Sequence, residues 1–207
     1  MQSLPNLLTG ARIVAVPLVV VLFYWTSNPW SEPLAAFVFI AAAITDSLDG
    51  YLARKYGITT PLGAFLDPVA DKLMVATALV LLIAHDTRWF IVVCGMIIIG
   101  REITVSALRE WMAHVGSRGK VAVSSLGKWK TILQLTGLSL MMYRYDLLGL
   151  PIYDIGVALL VIASVLTLWS MVAYLRAAWP DLRGDGHPVA PIPPAPARKD
   201  ASTDPRG

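Results

Sequence analysis

Six stretches of this 207-residue chain match the thickness of a bilayer. A helix needs about 20 mostly apolar residues to cross one. The candidates run, with soft edges, over 5–26, 33–54, 61–84, 88–112, 126–145 and 151–176. Three of them have helix-start signals: Glu32-Pro33, Thr60-Pro61 with Thr60 as N-cap and Pro61 at the first helical position, and Pro151. Only 15% of residues are charged, where a soluble domain carries about a quarter. The mean hydropathy is +0.62. The expected fold is an all-α integral membrane protein with six transmembrane helices over residues 1–180.

The ends of the chain differ in character. "MQSLPNLLTGARIVAVPLVV" has no basic leader and no clear cleavage site, and it reads as retained. Residues 181–207 are rich in Pro and Ala and lack periodicity, the composition of a disordered tail. The single cysteine, Cys94, sits in an apolar run, so neither an internal disulfide nor a thiolate metal site can form.

Lys and Arg set the orientation. Six spans put both termini on one side, with Arg12, Arg54, Lys55, Arg101, Arg109, Arg118, Lys120, Lys128, Lys130 and Arg176. Arg88 and Arg144 fall on the other, so the termini are expected to be cytoplasmic. Trp25, Trp30 and Trp89 then lie near the outer interface, and Trp111 and Trp179 near the inner one.

Against that background the acidic residues stand out. At a rise of about 1.5 Å per residue, Asp46 lies ~12 Å and Asp49 ~7–8 Å below the cytoplasmic surface. Asp67 lies ~9 Å and Asp71 ~15 Å in, and Arg101 and Glu102 ~10–12 Å. Separate helices thus put their costly residues in one layer. Asp46, Asp49, Gly50 and Ala53 share one helical face, as do Gly63, Asp67 and Asp71. The small residues on those faces admit a ligand or a neighbouring backbone.

A central Asp costs about 2.5–3.5 kcal/mol to insert, and Lys72 alone cannot offset four. Converging carboxylates call for bound cations, and oxygen ligands without His or Cys favour Mg²⁺ or Mn²⁺. Two such ions close together serve phosphoryl chemistry. The blander reading, ion pairs used only for helix packing, suits one pair better than four carboxylates on two matched faces.

Asp46-Ser-Leu-Asp49-Gly50-Tyr-Leu-Ala53-Arg54, eight residues, then Gly63-Ala-Phe-Leu-Asp67-Pro-Val-Ala-Asp71, fills every position of D-x2-D-G-x2-A-R-x8-G-x3-D-x3-D. It resembles the signature of the CDP-alcohol phosphotransferase family. The resemblance implies a six-helix membrane enzyme, a homodimer in the bacterial inner membrane, with its active site open to the cytoplasm. It implies that Asp46, Asp49, Asp67 and Asp71 hold one or two divalent metals and that Asp71 is the general base. Gly50, Ala53, Arg54 and Thr60, with Thr9 and Arg12 of the first helix, match positions that contact the CDP-diacylglycerol donor.

The signature leaves the acceptor open. "GREITVSALREWMAHVG" (100–116) with "SRGKVAVSSLGKWKT" (117–131) resembles the phosphatidylglycerophosphate synthase branch, whose acceptor is sn-glycerol 3-phosphate. A phosphate dianion needs fixed positive charge, and Arg118, Lys128, Lys130 and Arg101 are the candidates. Their alternative role is contact with anionic lipid, and Arg101 and Arg109 could instead pair with Glu102 and Glu110. Two other acceptors stay open, inositol 3-phosphate and phosphatidylglycerol. A cation transporter is a more distant reading, disfavoured because the carboxylates sit toward one face. No nucleic-acid partner is expected.

Overall fold

The computed structural model describes residues 4–25, 28–56, 61–114 and 125–183. Six helices occupy them: α1 Leu4–Tyr24, α2 Ser31–Tyr56, α3 Pro61–His85, α4 Trp89–His114, α5 Ser125–Tyr143 and α6 Ile152–Leu182. Each expected span coincides with one helix to within about two residues at either end, except that α6 continues past the expected end at 176 to Leu182, into the first residues of the expected tail. The expected tail lies outside the described residues beyond Arg183, and so does the Thr60 cap.

Local chemistry explains the boundaries. Asn28 starts α2, its side chain accepting from the Trp30 amide at 3.0 Å and its carbonyl from the Ser31 hydroxyl at 2.8 Å. The helix therefore begins two residues before Pro33. Pro151 cannot donate a hydrogen bond but accepts one from the Ile155 amide, and α6 starts directly after it. Pro68 lacks the amide that would bond back along the helix, yet α3 continues through it to His85. Between α5 and α6, Leu147 and Leu150 exchange backbone hydrogen bonds around Leu148 and Gly149, both with positive φ (55° and 78°). That is the geometry of a tight two-residue reversal.

Among the described residues, three helices contain stretches long and apolar enough to cross a membrane: Ser31–Leu48, Trp89–Met112 and Ile152–Pro180. The apolar part of α1, Gly10–Tyr24, is shorter. All six helices also turn large apolar side chains outward, among them Val14, Phe37, Phe65, Met96, Ile132 and Trp169. A surface this apolar on every side suits a lipid solvent and marks a membrane protein.

The core lies along the bundle axis. Phe39, Leu79, Leu82, Ile91, Ile98, Leu138, Met141 and Leu160 are fully buried there. α6 packs on α5 and α4, while α1 packs on α2 and α3. The α5–α6 crossing is the tightest: a Cβ at Gly156 would fall 2.9 Å from the Gly137 carbonyl oxygen. Only glycine lets the two backbones approach this closely.

The charges at the two ends of the bundle are arranged differently. At the end with the α3–α4 and α5–α6 turns, Arg88 pairs with Asp86 and Arg144 with Glu32. Tyr153 donates to Asp86 at 2.7 Å. The two arginines expected on the outer side are thus each matched by a carboxylate. The other ionisable layer, deeper in the bundle, is the site.

Candidate active site

The site is built where α1 and α2 meet α3, and around a cavity lined by α3, α4, α5 and α6. On the first side, Arg12 is 3% exposed and pairs with Asp46 at 2.6 Å. Asp46 lies within electrostatic reach of Asp67, and Asp71 within reach of Asp46 and Glu102. Three carboxylates from two helices therefore share one electrostatic neighbourhood, as the shared faces and common depth required. Gly63 is buried on the same face of α3 as Asp67 and Asp71.

On the second side a cavity of about 260 Å³ opens beside Asp71. Four cations line it, Lys72, Arg101, Arg109 and Lys130, against two carboxylates, Asp71 and Glu102. The balance leaves a net positive field inside low-dielectric walls, where an anion is held more strongly than in water. Lys130, almost fully buried, donates to the Ser170 hydroxyl of α6 at 3.3 Å. The Arg109 guanidinium lies 5.8 Å from the centre of the Tyr174 ring. Arg101 pairs with Glu102, as the sequence suggested. Arg109 is drawn to Tyr174 rather than to Glu110, because one helical turn brings Tyr174 of α6 to the same chamber as Ser170. Arg101 Nε has no hydrogen-bond partner among the described residues.

The structure thus brings together Arg12, Asp46, Asp67, Asp71, Arg101 and Lys130. The side chains of Thr9, Asp49, Gly50, Ala53, Arg54 and Lys128 lie outside the described residues, as do Thr60 and Arg118 altogether. Gln134, Ser170 and Tyr174 carry no weight in the sequence reading. A polar residue every three or four positions on one face of α5 or α6 is the only signal they leave, and in apolar helices it is weak.

Whether a divalent ion suits the site rests on the donor set. Every candidate ligand is a carboxylate, the hard donor that Mg²⁺ and Mn²⁺ take. Among the described residues the softer donors sit elsewhere: Cys94 accepts from Ser164 at 3.2 Å in the core, and His85 packs against Phe23. Among the described residues no three carboxylates are arranged to enclose an ion. Asp49, whose side chain lies outside them, belongs to the expected set, and Asp46 is paired to Arg12. The chemistry of the donors fits a hard cation.

Comparison with known proteins gives a consistent result. The family model for CDP-alcohol phosphatidyltransferase matches residues 2–169. A CDP-diacylglycerol–glycerol-3-phosphate 3-phosphatidyltransferase of Escherichia coli (strain K12) is 46% identical over 180 residues, covering 87% of this chain and 97% of that one. The enzyme of the same description from Salmonella choleraesuis (strain SC-B67) matches to the same extent, 46% over 180 residues. A cardiolipin synthase (CMP-forming) of Oryza sativa subsp. japonica is 47% identical over 191 residues, 86% of this chain. Against that longer relative, the chain spans 57% of its length.

Proposed function

The chain belongs to the CDP-alcohol phosphatidyltransferase family, and from that premise we infer that it transfers the phosphatidyl group of CDP-diacylglycerol to sn-glycerol 3-phosphate, giving phosphatidylglycerophosphate and CMP. The observation that carries the choice of acceptor is the chamber beside Asp71, a cavity of about 260 Å³ lined by four cations. It suits a compact phosphorylated alcohol.

In this reading the chain crosses the bacterial inner membrane six times as a homodimer, with both termini and the site toward the cytoplasm. The asymmetry of Lys and Arg supports that orientation. The acyl chains of the donor stay in lipid, and its diphosphate reaches the layer of Asp46 and Arg12. Asp46, Asp49, Asp67 and Asp71 would hold one or two ions of Mg²⁺ or Mn²⁺. When bound, these supply charge neutralisation for the diphosphate and the leaving phosphate.

The chain's own groups do the rest. Arg101, Arg109 and Lys130, with Arg118 and Lys128 nearby in sequence, hold the acceptor's phosphate. Ser170 and Tyr174 fix the positions of Lys130 and Arg109. Held this way, the acceptor turns its terminal hydroxyl toward Asp71, whose carboxylate takes the proton. The hydroxyl oxygen forms a bond to the phosphorus that bears diacylglycerol. The bond from that phosphorus to the bridging oxygen breaks, and CMP leaves with the electron pair. Arg12, Arg54, Gly50, Ala53, Thr9 and Thr60 keep the nucleotide end in line for the displacement.

A second reading, transfer to phosphatidylglycerol, has one observation in its favour. An apolar groove of about 320 Å³ between α3 and α4, lined by Val69, Leu73, Ala76, Ile98, Ile99 and Ile103, meets the polar chamber at Lys72, Val75 and Glu102. A lipid acceptor could lie there with its headgroup in the chamber. Purified protein in detergent–lipid micelles, supplied with CDP-diacylglycerol, Mg²⁺ and labelled glycerol 3-phosphate, is expected to make labelled lipid and equimolar CMP. Chelation with EDTA is expected to stop both and excess Mg²⁺ to restore them. Turnover that survives EDTA would overturn the metal assignment, and absence of labelled lipid the acceptor.

A further inference from the structure

One polar group of the chamber that the proposed chemistry does not use is the amide of Gln134. Its residue is 7% exposed and lines the cavity with Asp71, Arg101, Arg109, Lys130 and Tyr174. It lies one turn from Lys130 on the same face of α5. Among the described residues its side chain makes no hydrogen bond, although Lys130 beside it finds Ser170 and Ser139 further along α5 bonds to the Leu135 carbonyl. Its amide thus stands on the chamber wall without a protein partner among the described residues, and a polar group in that position is open to a ligand.

The chemistry of the chamber divides among its residues. The cations match the acceptor's phosphate, and Asp71 matches the hydroxyl that reacts. A second, neutral hydroxyl both donates and accepts, and a neutral group that does the same is its closest match. A carboxamide offers both roles without charge. Gln134 stands on the chamber wall next to the phosphate-binding Lys130, with its polar end unengaged.

We propose that Gln134 hydrogen-bonds the non-reacting middle hydroxyl of a three-carbon phosphorylated acceptor and is the residue that selects a polyol phosphate over its deoxy counterpart. This rests on the reading of the site as taking glycerol 3-phosphate, and it adds the recognition of a hydroxyl to that of the phosphate. A site built to bond a hydroxyl rejects the analogue that lacks it, because the protein's own polar group is then left unmet. A site that holds the phosphate alone would accept both.

The test compares two acceptors, glycerol 3-phosphate and 3-hydroxypropyl phosphate, with wild type and with Gln134→Met, which keeps the volume and removes the amide. Both are assayed as full-length protein in micelles with CDP-diacylglycerol and Mg²⁺. Wild type is expected to prefer glycerol 3-phosphate by roughly 100-fold in kcat/KM. In Gln134→Met the preference should collapse to within about threefold, mainly through loss of kcat/KM with glycerol 3-phosphate. A role in packing alone would lower both acceptors together and leave their ratio intact. If Gln134→Met does not fold, Gln134→Asn, which withdraws the amide by one methylene, is expected to reduce the ratio by about tenfold. An unchanged ratio in the variant that folds, or a wild type that does not discriminate, overturns the role of Gln134 alone. Failure of wild type to use glycerol 3-phosphate at all overturns the acceptor assignment, and this inference with it.

Discussion

In the proposed mechanism Asp71 accepts the proton of an acceptor whose phosphate is held by cations. The residue stands at the boundary between the carboxylate layer and the cationic chamber. Asp71→Asn keeps the shape and removes the base. It is expected to lower kcat by at least ~10²-fold, the usual range for a lost general base, while the protein still purifies as a folded species. A kcat within a few-fold of wild type would move the base elsewhere. Asp86, at the far end, is held by different forces. Its carboxyl is pulled down to about 2, first by the hydrogen bonds from the Arg88 side chain, with Tyr153 and the Arg88 amide adding to them. The folded value lies below the ordinary 3.8, so its stabilising effect is complete above that value and is lost as pH falls through about 2. Asp86→Asn is therefore expected to lower the melting temperature at pH 7 by the equivalent of ~1 kcal/mol. The gap to wild type should narrow only below about pH 4, and a gap that is constant from pH 7 to 2 would contradict the assignment. The sequence made the acidic layer legible at this scale, because a charge in an apolar run has few innocent explanations. It did not reveal that Arg12 pairs with Asp46 or that Arg109 lies over Tyr174. Both join residues on different helices, and no spacing rule connects them.

At the scale of the helices, the α5–α6 pair carries the chamber. Gly156, Leu160, Ala163, Thr167, Ser170 and Tyr174 recur along one face of α6. The small members let α5 approach, and the last two meet Lys130 and Arg109. Fold and site are thus coupled along one seam. Gly156→Val places side-chain atoms where a Cβ alone would already be 2.9 Å from the Gly137 carbonyl oxygen. It is expected to destabilise the protein by about 1–3 kcal/mol and to raise KM for the acceptor, because α6 withdraws from Lys130. Unchanged melting and unchanged KM would show that the crossing does not constrain the site. The helices themselves were legible from apolar runs bounded by Pro and polar residues, with small shifts such as the Asn28 cap that starts α2 at Ser31. The seam of α6 was not, because that helix is apolar on most faces and a lone Ser or Tyr does not mark its inner side.

At the scale of the whole molecule, the apolar exterior and the separation of matched and unmatched charge fit a bundle whose site faces one side of a membrane. If the termini are cytoplasmic, a cysteine at position 148, where Leu148 is 94% exposed in the α5–α6 turn, should react with an impermeant thiol reagent in intact cells. One replacing Arg183 should react only after permeabilisation, and the native Cys94 is buried and should stay silent. Equal labelling at both positions would refute the orientation. The central claim is narrower: a carboxylate layer joined to a cationic chamber transfers a phosphatidyl group to a small phosphorylated alcohol. It is tested most directly by measuring CMP release and lipid product from purified protein with CDP-diacylglycerol and, in turn, glycerol 3-phosphate, inositol 3-phosphate and phosphatidylglycerol. The expected result is stoichiometric CMP and phosphatidylglycerophosphate with glycerol 3-phosphate, and little turnover with the other two. Cardiolipin formed from phosphatidylglycerol at a higher kcat/KM than any product from glycerol 3-phosphate would contradict it.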